Sequence, residues 1–459
     1  MPRPDLKSIS IPAAALAACL ASFAAGEASA QALSLPAALQ EASSKSEEAL
    51  LLKEKETHVA AQKREVWAEG LPRITAMASA GRGNSVMDAS MFPGFADGDS
   101  GGGGSNAFSF TQNRYAYGIE AQQSLFSFGR LTQAVKAANN QEKAESSDRR
   151  RSMQQLQLRT LDAYYGVVTT RARLQTLNSS VKRYSETVAF LESNFRMGSG
   201  IRANVLRAIT ALKAQEPERL RAERDAEAAQ MSLNRLLGRD LDAPMELDTA
   251  TALPMDPIVE APDAKSLEET IGNRPDIQNM TYARRSLEGR ARYIKMLYLP
   301  SLGATGKIGV TAFDTDQLFE FDKNKEWQVG VGLNWALFDG FGNMARAQQV
   351  QSNARSLELN ERIARKMALV EIESAFRDYR AADTGLAAAE QAVTAAREAQ
   401  AMVSEDFRAG KGAITDLLET EDVLRQTEFG VLAARHQRVR SQAALRLALG
   451  KGLINEEAR

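Results

Sequence analysis

The feature that most constrains this chain is a repetition. "NFRMGSGIRANVLRA" at 194–208 matches "DFRAGKGAITDLLET" at 406–420, an offset of 212 residues. The same offset carries Leu125-Phe126 onto Leu337-Phe338, "DAYYG" around Ala163 onto "SAFRD" around Ala375, and Leu237-Gly238 onto Leu449-Gly450. A constant offset over this stretch, without insertion or deletion, marks an internal duplication. Upstream the offset becomes 228, relating "LPRITAMASAG" from Leu71 to "LPSLGATGKIG" from Leu299, so the first copy has 16 extra residues between its two short extended segments. They fall at "DGDSGGGGSN" (97–106), a Gly-rich polar stretch that reads as a mobile loop with no core.

Each copy then has one order of elements. The first, 31–255, predicts a helix at 33–69, a strand pair within 71–126, a helix at 130–196, a turn at 195–201 and a helix at 202–238. The second, 256–459, predicts a helix at 263–297, a strand pair within 299–338, a helix at 342–408, a turn at 407–413 and a helix at 414–449. A continuous helix over 130–196 would be about 100 Å long. Such helices must pack side by side, as a coiled coil or a helical barrel. Leu417, Leu424, Val431 and Leu445 form a seven-residue ladder with Arg438 as its charged rung; Val205, Leu212, Ala226 and Leu233 repeat it, with Arg219. Pro217 predicts a kink or interruption in the first copy's last helix.

The extended segments alternate. Trp327, Val329, Val331, Leu333, Trp335 and Leu337 share one face, against Glu326, Gln328, Asn334 and small residues on the other. Period two with one apolar face is a β-strand. Trp327 and Trp335 bracket the apolar band about 27 Å apart along the strand, the pattern of an interfacial girdle in a membrane barrel. Two tryptophans in a soluble sandwich core would be the plainer account, but four strands offer little to bury them. Four strands also cannot close a barrel, since the smallest outer-membrane barrels have about eight, and open edges are not tolerated in lipid. Copies of the chain must therefore pool their strands.

Composition removes other classes. Net charge is −1, so no global field draws the chain to nucleic acid. One Cys and two His argue against disulfides and structural zinc, and no metal or cofactor is expected. His58 and His436 lie in polar helical runs and read as solvated surface residues. No nucleophile–base–acid set stands out, so the chain is not read as an enzyme. Gly410-Lys411-Gly412 is not a phosphate loop: Glu405 holds the place of the first Gly, and Gly412 that of the Ser or Thr. Arg3 and Lys7, the apolar "SISIPAAALAACLASFAA" and the small residues of "ASAQ" form a secretory leader, residues 1–30, cleaved after Ala30. "LAAC", Leu16 to Cys19, offers a competing lipoprotein site that would leave Cys19 as a lipid anchor. Beyond the leader no run of about 18 apolar residues occurs, so no helix can span a bilayer.

The paired "LP" strand starts at Leu71-Pro72 and Leu299-Pro300, the "LFSFG" and "LFDGFG" strand exits, "NRPDI" at 273–277 and the paired "FRxGxG" turns together resemble the TolC-like outer-membrane efflux family, over about 33 to 450. The ordered duplication carries the resemblance. One departure is "KSEEAL" (45–50), where such proteins often have an Asn-Pro like the Arg274-Pro275 of the second copy. The resemblance implies a homotrimer in outer-membrane lipid, with a twelve-stranded barrel and a periplasmic helical tunnel. It implies docking to a periplasmic membrane-fusion adaptor and an inner-membrane ABC or resistance-type pump. The docking tip would comprise Phe195, Arg196, Gly198 and Gly200 with Phe407, Arg408, Gly410, Lys411 and Gly412. Carboxylates just after the second turn line the family's closed aperture; here they fall on Asp416 and Glu419, with Asn204 the uncharged counterpart of Asp416. Residues i and i+3 share a helix face, and a ring of acids selects cations and repels itself. A first-turn acid pair favoured by the helix dipole is the plainer role for the two. The family's basic residue near this turn falls on Gly412, leaving Lys411, Arg408 and Arg202 as substitutes.

The expected function is an exit channel of a tripartite efflux pump or type I secretion system, projecting from the outer membrane into the periplasm. The competing reading is a periplasmic coiled-coil scaffold or adaptor.

Overall fold

The structure, a computed structural model, describes residues 32–88, 107–248, 264–316 and 321–454. The leader with Cys19 and the Gly-rich stretch 97–106 lie outside the described residues. In chain order the elements are α1 (Leu35–Lys45), α2 (Glu47–Ala68), β1 (Arg73–Asp88), β2 (Ala107–Phe126), α3 (Arg130–Arg196), α4 (Arg202–Leu237), α5 (Ala264–Asn273), α6 (Pro275–Lys295), β3 (Ser301–Ala312), β4 (Lys325–Asn334), α7 (Gly342–Arg408) and α8 (Ile414–Ala448). The chain is mostly helical with one sheet. It divides into two compact units: one gathers residues to Leu52, Arg151–Arg274 and Ala368 onward, the other Lys53–Arg150 and Pro275–Met367.

The second unit holds the sheet, ordered β1-β2-β3-β4 and antiparallel throughout. The first copy's strands are longer than the short segments expected, at 16 and 20 residues, because their ladder continues to the Asp88–Ala107 pair. Register aligns Ala76, Ile119, Ile308 and Trp327 in one cross-strand row, and Thr75, Glu120, Lys307 and Gln328 in the next. Successive residues point to opposite faces, so one face is apolar and the other polar. The apolar face is bare: Ile74, Ile119, Ile308, Trp327, Val329, Val331 and Leu333 are all exposed. Trp335 follows β4 directly, and its indole Nε1 donates to the Tyr298 carbonyl at 2.9 Å. Among the described residues neither β1 nor β4 has a second strand partner.

The first unit packs around α1. Leu35, Ala38, Leu39 and Ala42 are buried against Leu161, Tyr164 and Val167 of α3, Leu233 and Leu237 of α4, and Ala443 and Leu447 of α8. The Tyr164 hydroxyl lies 2.6 Å from the Asp248 carbonyl and 2.9 Å from that of Leu33, tying the Leu33–Leu247 bridge to α3. Burial pushes this phenol up to about 12.

Two expected helices are each broken. The run 33–69 divides at Ser46, whose backbone is extended and whose Oγ accepts from the Ala49 N–H at 3.1 Å, an N-cap followed by Glu47 and Glu48 in the first turn. The run 263–297 divides at Arg274, because Pro275 has no N–H to donate and disfavours a helical residue before it. "KSEEAL" thus achieves with a Ser cap what "NRPDI" achieves with proline. The interruption expected at Pro217 does not occur: α4 continues across it.

The duplication is visible in packing. Gly238 and Gly450, with φ of +70° and +74°, end α4 and the α8 run in the same left-handed turn. A Cβ on Gly238 would lie 2.7 Å from the Lys45 carbonyl; one on Gly450 would lie 3.2 Å from Arg274 Cγ. In both copies a glycine therefore lets a helix end press against the break in the preceding helix pair. Arg274 is 2% exposed and donates to the Ala448 carbonyl at 2.7 Å, at the negative end of α8, and to Glu371 Oε2 at 2.7 Å. Arg274→Ala is expected to cost about 2–3 kcal/mol, mostly from an orphaned buried carbonyl and a lost stem, since the Glu371 side is half-exposed. The check is thermal unfolding of the detergent-solubilised protein by circular dichroism; an unchanged midpoint would remove this role.

His436 corrects another expectation. Its ring stacks on Tyr165 with centroids 5.8 Å apart, and its Nε2 is 3.6 Å from Asp162, so it is half-buried on the side of α8 that meets α3. Burial alone would raise the Asp162 carboxyl, but His436 and Arg440 outweigh it and hold it below the usual range. His58 is exposed and meets Gln62.

Candidate functional site at the paired helical hairpins

Helices α3 and α7 end in the same device. After Arg196 the Gly198 N–H donates to the Phe195 carbonyl and the Ser199 N–H to that of Asn194; after Arg408 the Gly410 N–H donates to Phe407 and the Lys411 N–H to Asp406. This crossed pair of bonds satisfies the last carbonyls of a helix and requires a left-handed residue, here Gly198 (φ +81°) and Gly410 (φ +78°). Gly200 and Gly412 then bring the chain back against the helix end, and α4 and α8 begin at Arg202 and Ile414. Gly410→Ala is expected to cost about 1–2 kcal/mol, the left-handed strain alone, as nothing lies near its missing Cβ. Gly238→Ala adds the clash with Lys45 and costs more; equal shifts in unfolding midpoint for the two variants would contradict this.

The two hairpins pack together. Leu191, Val205 and Ala208 of the first meet Ile414 and Leu417 of the second, with Phe407 half-buried and its ring 6.1 Å from that of Phe190. Burying Ile414 and Leu417 turns Asp416 and Glu419 outward, both exposed on one side of α8. The Thr415 hydroxyl lies 3.2 Å from Asp416 Oδ1. Neither Ile201 nor Ala413 caps its helix with a side chain, so Asp416 is the acid of an otherwise uncapped first turn. Asn204 is half-exposed at the equivalent place in α4. Arg202, Arg408 and Lys411 make no ion pair among the described residues, so none of these three cations partners the acid pair there. The two tryptophans, Trp327 and Trp335, belong to the strand unit described above.

One group of residues was not singled out in the sequence. Just beyond Glu419, Glu421 is 4% exposed and accepts from Arg183 Nε of α3 at 2.7 Å and from Gln400 Nε2 of α7 at 2.6 Å. The Tyr184 hydroxyl donates to Asp422 Oδ1 at 3.1 Å, and Arg425 reaches Asp422 at 3.2 Å and Glu218 of α4 at 3.3 Å. Burial pushes the Tyr184 phenol far up, with Asp422 adding to it, so it stays a donor at all physiological pH. This network ties all four hairpin helices together one turn behind the acid pair. Its signal in the sequence was Glu421 itself, four residues after Leu417 and three before Leu424, a charge on the buried stripe.

Duplicated helical hairpins, and a four-strand sheet with a bare apolar face and, among the described residues, two unpaired edges, are the features of a membrane-channel protein. The sequence profile of the outer membrane efflux protein family matches residues 52–239 and 266–451, and the chain belongs to that family. It is 22% identical to the outer membrane efflux protein BepC of Brucella suis biovar 1 (strain 1330), over 73% of this chain and 72% of that one. It is also 22% identical to the alkaline protease secretion protein AprF of Pseudomonas aeruginosa, over 73% and 69%. Among solved structures, the Campylobacter jejuni outer membrane channel CmeC superposes with a TM-score of 0.77 at 17% identity, covering 91% of this chain and 85% of that one. VceC of Vibrio cholerae gives 0.72 at 18% identity, over 92% and 97%. The chain is thus an outer-membrane channel for efflux or secretion that extends into the periplasm. The scaffold reading is set aside.

Proposed function

We propose that three copies of the chain pool their sheets into one twelve-stranded barrel in outer-membrane lipid, giving a passive exit duct whose energy comes from an inner-membrane ABC or resistance-type pump reached through a periplasmic adaptor. The observation that carries this is the sheet: an apolar, tryptophan-flanked face left bare and two unpaired edges. Unpaired edge groups cannot remain in hydrocarbon, so β1 of one copy must pair with β4 of the next. Conduction through such a duct needs no catalytic group. The hairpin tip is the docking end, and Asp416 and Glu419 line its aperture. Their exposure on one side of α8, with no ion pair to a cation among the described residues, supports that assignment. Three copies would place six carboxylates around one axis.

The test is extraction and mass. The protein should leave the outer-membrane fraction with detergent and not with high salt, and cross-linking in detergent should stop at three copies. Release by salt, or a monomer after cross-linking, would defeat the proposal.

A further inference from the structure

The duplication makes the two hairpin ends comparable residue by residue, and they have diverged in chemistry. Over 190–208 the first carries Arg196, Arg202 and Arg207 against Glu192; over the equivalent 402–420 the second carries Arg408 and Lys411 against Glu405, Asp406, Asp416 and Glu419. Apolar exposure has diverged as well. Met197 is 69% exposed and Ile201 65%, whereas their counterparts are Ala409 and Ala413. Arg202 is exposed, whereas its counterpart Ile414 is buried in the contact between the hairpins. None of Arg196, Arg202 and Arg207 makes an ion pair among the described residues. The first hairpin thus ends in two bare apolar side chains between guanidinium groups that make no ion pair among the described residues, and the second ends in a turn without large apolar side chains, itself basic at Arg408 and Lys411 but flanked by Glu405, Asp406, Asp416 and Glu419.

Resting on the reading of the tip as the docking end, we infer that the first hairpin is the principal docking element and that its partner is a protein surface carrying carboxylates around an apolar socket. Met197 and Ile201 lie beyond the last turn of α3 and before the first of α4, at the apex of the loop. A neighbour packed side by side covers the flanks of hairpins, not their apices, so the occupant approaches end-on. Charge complementarity selects its sign: three unpaired Arg favour an acidic surface and repel a basic one. Met197 and Ile201 supply the desolvated centre of such a contact, and the Arg side chains its rim. The same logic gives the second hairpin, with its acids turned to one side, a lesser part in docking.

The probe is a synthetic two-helix hairpin peptide whose loop presents Glu and Leu, with a Lys-for-Glu version beside it, titrated onto the full-length channel in detergent. The Glu-loop peptide should bind, weaken as salt rises, and lose at least tenfold affinity in the Arg196→Glu/Arg202→Glu channel and in Met197→Asp. Arg408→Glu/Lys411→Glu should lose under threefold, and Arg221→Glu, an exposed arginine well back along α4, nothing. Equal binding of the Lys-loop peptide, a larger loss from the second hairpin's variant, or tip-to-tip pairing of channels through a Met197→Cys disulfide would each overturn the inference. Conductance of the same wild-type preparation in planar bilayers tests the channel reading separately, so a conducting channel that ignores the peptide defeats only the docking assignment.

Discussion

Arg183→Ala is expected to lower the stability of the paired hairpins by about 2–4 kcal/mol, while Arg183→Ala combined with Glu421→Gln recovers most of the loss. The reason lies in burial. Glu421 keeps 5% of its side chain exposed, and among the described residues its carboxylate is held by Arg183 and Gln400. Removing the guanidinium leaves a charge in a place that water barely reaches, which costs more than the pair itself contributes. The upper range for breaking buried pairs does not apply, because Arg183 is 28% exposed and solvent moderates the loss. Neutralising the acid removes the stranded charge, and Gln can still meet Gln400. Limited proteolysis at the tip and thermal unfolding both read this. A double variant as unstable as Arg183→Ala would show that the arginine acts through packing instead. Because the network joins α3, α4, α7 and α8 directly behind Asp416 and Glu419, the same single variant should also raise the frequency of channel opening in bilayers.

The second large effect is on selectivity. Asp416→Asn/Glu419→Gln should carry the channel from clear cation preference toward none, read as a reversal potential under a salt gradient moving most of the way to zero. Rings of carboxylates at a constriction concentrate cations through their summed field. The preference of the wild-type channel should itself shrink as ionic strength rises, since the Debye length falls from about 10 Å at 0.1 M to about 3 Å at 1 M. Both side chains are exposed, so their replacement should leave unfolding nearly unchanged, and the two readouts separate a pore role from a structural one. Unchanged selectivity in the double variant would take the aperture away from these residues. Asn204, already uncharged, is the internal contrast: Asn204→Asp should strengthen the preference.

Much of the fold was legible because its signals are local and repeated. The run from Arg130 to Arg196 is written in helix-forming Ala, Gln, Arg and Glu with no proline, and the left-handed turn that ends it is written in Gly198. The second copy repeats both in α7 and Gly410, so each segment confirmed the reading of the other. The heptad rungs Leu417, Leu424, Val431 and Leu445 are all buried, and the charged rung Arg438 finds Asp383 at 2.7 Å. What was missed depends on neighbours distant in sequence. His436 looked solvated because its own helix is polar, yet Tyr165 and Asp162 come to it from α3. Of the kink or interruption expected at Pro217, the interruption does not occur: local rules count its lost hydrogen bond, whereas α4 continues with Gln215 and Ala222 buried on either side of it.

The candidate site divides in the same way. Sequence alone determined that there are two equivalent turns, that their glycines reverse the chain, and that acids follow the second and not the first. It also determined that four strands with one apolar face cannot stand alone in a membrane. Only the tertiary structure decided which side of α8 those acids occupy, because that depends on Ile414 and Leu417 being taken into the contact with Val205 and Ala208. Only it decided that Glu421, Asp422 and Arg425 bind the hairpins together while Asp416 and Glu419 stay exposed. The physical reason is that backbone reversal and periodicity are properties of a few adjacent residues, whereas the partner of a buried charge is chosen by whichever helices packing brings beside it.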